Sequence, residues 1–370
     1  MECYLDNSAT TKPCKEAVDA AVYAMTQAFG NPSSLHAAGL AAERLLEDAR
    51  AAVAAPLHAQ KSEIVFTPSG TAANNTAVFG AVSRYRGGKI VTTAMEHPSV
   101  EECMRTLETR GFTVVRLKPD GCGRITAGQI AQAVDEQTVL LSLMAVNNEV
   151  GSVLPIAELG RIVREKRAPA LVHVDAVQGF LKLPIRPKAC GIDLLSVSAH
   201  KVHGLKGAGA LYVRRGVRIK PHLLGGGQEY GLCSGTQPMP AIAAFAAAVR
   251  AWGEPDLAAL HSRLREQLLQ IDGVALNSPP DALPYILNIS LRGVPSQVAV
   301  NALSERGVAV SAGSACSRGH RSTALTAMGL PAERVDTALR LSLSRTTTAE
   351  EIDRCAAAVR DVQTTIGRKR

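Results

Sequence analysis

Short apolar runs alternate with longer amphipathic stretches through the middle of the chain. Runs at 64–67, 89–92, 113–117, 139–146, 170–174, 193–198 and 208–213 read as strands. Stretches at 37–53, 71–85, 99–109, 127–134 and 156–166 read as helices. Strands alternating with helices imply a largely parallel, twisted sheet covered on both faces. Ligands of such sheets gather at the carboxyl ends of the strands. Gly225-Gly226-Gly227 marks a loop after the last of these strands, and an alanine-rich helix over 240–253 follows. Beyond it, strands at 286–291, 308–311 and 339–344 with helices between them predict a smaller α/β unit. The expected division is a large domain over 15–250 and a small one built from 1–14 and 251–370. Neither an internal repeat nor a low-complexity linker interrupts this pattern.

Composition narrows the classes. At 370 residues and 46% apolar content the chain can bury a large core. Charged residues make up 20%, which argues against disorder. Lys and Arg exceed Asp and Glu by 41 to 33. These charges are scattered, and the one run, Arg368-Lys369-Arg370, reads as a solvated tail, so no nucleic-acid partner is expected. A mildly basic surface suits an anionic cofactor or an acidic partner. The N-terminus shows no basic and apolar leader, and the apolar stretch 241–249 is too short to span a bilayer, so no membrane partner is expected. The eight cysteines are spread out with no C-x-x-C pair. That argues against a disulfide scaffold or a zinc or other metal site, and for a reducing, cytoplasmic setting.

Five segments could carry chemistry. In Ser198-Ala199-His200-Lys201-Val202-His203-Gly204 a lysine follows an apolar strand, beside two histidines. Neighbouring positive charge and desolvation would free its amine to attack an aldehyde, although a single lysine is more often a solvated loop residue. In 172–178 a strand ends in Asp175, with Gln178 three residues on; a buried aspartate there could keep a pyridine nitrogen protonated, or could cap a turn. In 66–75 a strand runs through Ser69-Gly70-Thr71 into a helix start, whose N–H groups suit a phosphate, as well as an ordinary capped turn. In 95–100, His97 could stack on a flat ring and act as an acid or base. In 311–321, Cys316 sits among small residues with Arg318, His320 and Arg321, a setting that favours a thiolate over a buried structural cysteine.

Taken in this order, the segments resemble the cysteine desulfurases, fold-type I pyridoxal-phosphate enzymes of aminotransferase class V. The resemblance extends through Tyr4-Leu5-Asp6-Asn7-Ser8-Ala9-Thr10-Thr11, Gly30-Asn31-Pro32-Ser33-Ser34-Leu35-His36, Asn147-Asn148-Glu149-Val150-Gly151 and Arg340-Leu341-Ser342-Leu343-Ser344. It implies a large domain with a mostly parallel seven-stranded sheet plus a smaller α/β domain. It also implies that Lys201 carries pyridoxal 5′-phosphate as a Schiff base, with Asp175 on the pyridine nitrogen, Gln178 on the ring hydroxyl and His97 stacked on the ring. Gly70, Thr71, Ser198 and His200 would bind the phosphate, and Thr236 would reach it across a homodimer interface. Asn148 and Arg340 would hold the carboxylate of L-cysteine, and Cys316, on a mobile loop, would accept the sulfur as a persulfide. The partners implied are L-cysteine, a second copy of the chain and a sulfur acceptor serving iron–sulfur cluster assembly or tRNA thiolation.

Two other readings stay open at this stage: a selenocysteine lyase or another class-V enzyme, and a non-catalytic partner in sulfur transfer. Cys316 speaks against an aminotransferase, which needs no such thiol. Four positions depart from the family pattern. Ala72 replaces a usual glutamate, Cys233 and Tyr230 replace usual arginines, and Leu205 replaces a proline. Cys233 is therefore either a second thiol near the site or a neutral replacement.

Overall fold

The computed structural model describes residues 3–253, 255–313 and 321–367. In chain order the strands are β1 (Cys3–Tyr4), β2 (Ile64–Thr67), β3 (Gly88–Thr93), β4 (Phe112–Leu117), β5 (Thr138–Met144), β6 (Leu171–Asp175), β7 (Leu194–Ser198), β8 (Gly209–Val213), β9 (Val274–Leu276), β10 (Ile286–Leu291), β11 (Val308–Ala309) and β12 (Ala338–Ser342). The first four α-helices are α1 (Lys15–Thr26), α2 (Ala37–Ala54), α3 (Gly70–Val82) and α4 (Pro98–Thr109).

The central strands carry apolar side chains on both faces, so they bury completely: every residue of β5 and β7 is out of solvent. They form a seven-stranded sheet in the order β2-β8-β7-β6-β5-β3-β4. All neighbours are parallel except β8, which runs against both β2 and β7. Six strands therefore deliver their carboxyl ends to one edge of the sheet. A three-stranded antiparallel sheet, β12-β10-β9, and a parallel pair, β1-β11, lie outside it. The seven strands predicted for the central sheet are all present, with ends moved by one or two residues. The expected strand at 139–146 stops at Met144, because the chain bends at Ala145 and Val146 pairs instead with Val153 across the turn that holds Asn148.

One helix was not legible. No element was predicted over Lys15–Thr26, yet α1 forms there. Its buried face is alanine alone, at Ala17, Ala21 and Ala24. Ala17 and Ala21 pack against Ala244 and Ala248 of the helix Met239–Arg250. The larger apolar residues Val18, Val22 and Met25 form a stripe that faces out instead.

Candidate active site

The turn from β2 into α3 forms one wall. Ser69 is the N-cap, and its hydroxyl accepts the Ala72 N–H at 3.1 Å. Gly70 and Thr71, the first two residues of the helix, line the cavity. A Cβ at Gly70 would lie 2.9 Å from Val177 and 3.2 Å from Ser198, so this turn fits only with glycine there. Gly209 acts likewise from the sheet, since a side chain on it would strike the Ser69 carbonyl carbon at 2.6 Å. Ser198, at the end of β7, is buried and its hydroxyl has no partner among the described residues. His200 lines the same wall, with Nδ1 3.2 Å from Thr10 Oγ1. Burial and the neighbouring Lys201, Lys206 and Lys182 pull its pKa down to about 4, so it is a neutral ring at pH 7. Helix-start amides and an unmet buried hydroxyl fit a phosphate.

Asp175 closes the floor at the end of β6 and is 6% exposed. Its two oxygens are set by separate donors: Val177 N–H to Oδ1 at 2.9 Å, and Asn74 Nδ2 to Oδ2 at 2.8 Å. A carboxylate held in this way suits a protonated ring nitrogen. His97, the N-cap of α4, stands over the same space, and burial holds its pKa below the ordinary histidine value. Gln178 donates from Nε2 to the Ser8 carbonyl at 3.0 Å and accepts from Lys182 at 3.3 Å. Burial, with a contribution from the Lys201 charge, brings Lys182 down to about 7.

The front of the cavity carries the cations. Lys201 follows β7 in a 3₁₀ turn and donates to the backbone carbonyls of Ser8 and, at 2.9 Å, Ala9. Arg340 comes from β12 and is 2% exposed. Its Nη2 pairs with Asp6 Oδ1 at 2.9 Å, and its Nη1 donates to the Asn148 carbonyl at 3.1 Å. Its Nε is buried without a partner among the described residues. A guanidinium has five donors, so capacity for a substrate carboxylate remains.

Of the residues predicted for the site, Lys201, Asp175, Gln178, His97, Gly70, Thr71, Ser198, His200, Asn148 and Arg340 all line this one cavity. Thr236 does not line it and is exposed elsewhere on the chain. Cys316 lies outside the described residues, and so does the segment around it. Gly313 before that segment and Ser322 after it both approach Glu149. Ser322 Oγ donates to Glu149 Oε2 at 2.6 Å, and a Cβ at Gly313 would sit 3.3 Å from the same oxygen. Cys233 is 7% exposed, does not line the cavity, and burial raises its thiol pKa. Tyr230 lies over the Arg50 guanidinium, 5.1 Å from its ring centre. Arg50 in turn is bidentate to the buried Glu229.

Sequence reasoning gave no role to Asp6, Ser8, Ala9, Asn74 or Ser99. The first three stand in the quoted 4–11 segment, and Asn74 and Ser99 stand in the quoted 66–75 and 95–100 segments. Short polar residues of this kind signal turns and caps, and nothing local separates a cap from a site wall.

Residues 3–355 match the family Aminotransferase class-V. A protein named cysteine desulfurase from Trichormus azollae is 39% identical, over 95% of this chain and 90% of its own length. Among solved structures, a NifS-like protein superposes with a TM-score of 0.92 at 35% identity, covering 98% of this chain and all of that one. A structure titled SspA in complex with cysteine gives 0.85 at 34% identity, over 94% of this chain and all of that one. The fold is that of the fold-type I enzymes of aminotransferase class V. Within that class the chain belongs to the cysteine desulfurase family.

Proposed function

We propose that the protein takes sulfur from L-cysteine, releases L-alanine and leaves a persulfide on Cys316. Pyridoxal 5′-phosphate held at the cavity would supply the electron sink for bond breaking at Cα. The residues present fit that group: a lysine amine, an aspartate oriented by two donors, and a glycine-built helix start beside an unmet hydroxyl. Lys201 would hold the cofactor through its amine, and Asp175 would pair with the ring nitrogen. Gln178 would meet the ring hydroxyl, and Gly70, Thr71, Ser198 and His200 would hold the phosphate. Arg340 and Asn148 bind the substrate carboxylate and so fix which bond at Cα is exposed. Lys201 Nζ takes the α-proton and returns a proton later in the cycle. The Cys316 thiolate then attacks the substrate sulfur: an S–S bond forms, the Cβ–S bond breaks, and the electron pair left on carbon is protonated to give alanine.

The convergence of Lys201, Asp175 and Arg340 on one cavity, in a chain of this family, is the observation that carries the reading. The test is the mass of the Cys316 peptide after exposure to L-cysteine, with alanine measured in the same sample. One added sulfur together with alanine supports the reading. Alanine release at the wild-type rate from a Cys316→Ser variant under reductant would refute the persulfide step. A faster reaction with selenocysteine than with cysteine would move the assignment to a lyase.

The working form we propose is a homodimer. The outward stripe of Val18, Val22 and Met25, with Phe29 at 71% and Leu35 at 93% exposure, supports it. Thr236, exposed here, would complete the phosphate site of the partner subunit. The small domain would combine 1–14 with 251–370, a division supported by β1 pairing with β11 and by the Asp6–Ser342 bridge. The sulfur would pass to an acceptor protein of cluster assembly or tRNA thiolation. The setting we propose is a reducing cytoplasm; among the described residues no helix is long and apolar enough to cross a membrane.

A further inference from the structure

His97 turns its ring back on the helix that it opens. The Ser99 backbone N–H donates to Nδ1 at 3.1 Å, and Ser99 Oγ lies 2.8 Å from the same nitrogen. The amide can only donate, so a proton on Nδ1 would meet another proton head-on. The hydroxyl is set from its far side. An ionised Asp175 only accepts, so the Asn74 atom 2.8 Å from Asp175 Oδ2 is the amide nitrogen. The second hydrogen of that nitrogen goes to Ser99 Oγ, also at 2.8 Å. With that lone pair engaged, the Ser99 O–H is left to point at Nδ1. Asn74 is 1% exposed and Ser99 8%, so water does not compete for these groups. Asn74 Oδ1 has no partner among the described residues, which is what committing both amide hydrogens to this chain leaves behind.

We propose that Asn74 and Ser99 are positioning residues that hold His97 as the neutral Nε2–H tautomer, so that its ring offers the cavity a flat face and a donor but no base. This rests on the reading of the cavity given above and sharpens it. With Nε2 already protonated and Nδ1 closed, the proton of a bound substrate thiol goes to another group, and Lys201 carries the amine that lines the cavity. The charged groups acting on the ring are Asp175, Lys201 and Arg340. Asp175 favours an imidazolium, while the two cations and burial oppose it.

The test is nitrogen NMR of the full chain labelled with ¹⁵N-histidine, with pyridoxal phosphate bound and again after its removal. A His97→Gln variant assigns the signals by difference. We expect a pyridine-like Nδ1 and a pyrrole-like Nε2, unchanged between pH about 6 and about 8, where a free imidazole titrates. Ser99→Ala keeps the backbone donor and loses the hydroxyl, so Nδ1 should stay pyridine-like while its nitrogen signal moves downfield as one of its two hydrogen bonds is lost. Ser99→Thr, which keeps the hydroxyl, should restore the wild-type signature. A pyrrole-like Nδ1 or an imidazolium in the wild-type protein would overturn the proposal, whatever the variants do. So would a Ser99→Ala spectrum identical to wild type. An Nε2–H ring in a chain that forms no alanine from L-cysteine would sink the desulfurase reading while supporting the lock.

Discussion

The back and front of the cavity are built differently. At the back, Asp175, Asn74, Ser99 and His97 form an unbroken line of hydrogen bonds, buried and anchored on β6, α3 and α4. At the front, Lys201 and Arg340 are cations resting on carbonyls and one carboxylate. Ser8, Ala9 and Asn148 lend backbone oxygens, and Asp6, 22% exposed, lends its side chain. The back is a template whose parts have committed their protons. The front is a set of charges whose present partners would, on the proposed function, be exchanged for a cofactor and a carboxylate. A reaction that must keep a flat ring still while substrate and product come and go needs this asymmetry.

Variants should break the two halves in different ways. The largest effect is expected from Lys201→Ala at the front. Alanine formation should fall by ~10²–10⁴-fold, the usual worth of a positioned acid–base group, with the unfolding temperature little changed. Full turnover in that variant would remove Lys201 from the chemistry. Next, Arg340→Lys should lower kcat/KM about 10- to 100-fold, mostly through KM, because a lysine cannot reproduce the planar fork. An unchanged KM would place the carboxylate elsewhere.

At the back, Asn74→Ala leaves Asp175 Oδ2 and Ser99 Oγ without their donor. We expect a loss of ~1–3 kcal/mol in denaturant unfolding, with weaker retention of pyridoxal phosphate read from its absorbance. Equal stability would mean that the line of bonds is not what stiffens this wall.

The back also carries a pH dependence. Glu96, next to His97, is buried, and burial raises its pKa from 4.5 to about 8. Between those values the folded chain keeps a proton that the unfolded chain releases. Stability therefore falls as pH rises through this window and levels off above about 8. The melting temperature of the wild type should decline across the window more steeply than that of Glu96→Gln. Parallel profiles would show that the Glu96 carboxyl is not held protonated.

Much of the front was legible in the sequence. Lys201 and Arg340 each lie in or beside an apolar strand, as Asp175 does at the back, and strand ends are where such sheets gather reactive groups. By itself Lys201 carried little weight; the ordered set of segments gave it a role. The back was less legible. Asn74 sits on α3, a helix that buries small residues almost all round, so no periodicity marks its inner face. Ser99 reads as an ordinary residue of a first helical turn. Their partners are 101 and 25 residues from Asn74 in the chain, at Asp175 and Ser99.

The sequence by itself determined the order of the central strands and the family, because apolar periodicity and short motifs are local. It also determined which residue types were on hand for a Schiff base, a ring nitrogen and a carboxylate. Only the tertiary structure decided that Asp6 faces Arg340 and that Ser8 and Ala9 receive the Lys201 amine. It alone removed Cys233 from the cavity and turned the apolar stripe of α1 outward. And it alone joined Asp175 to His97 through two neutral side chains. These are contacts between segments far apart in the chain, and the packing of the sheet, not any local preference, sets their distances and hydrogen-bond directions.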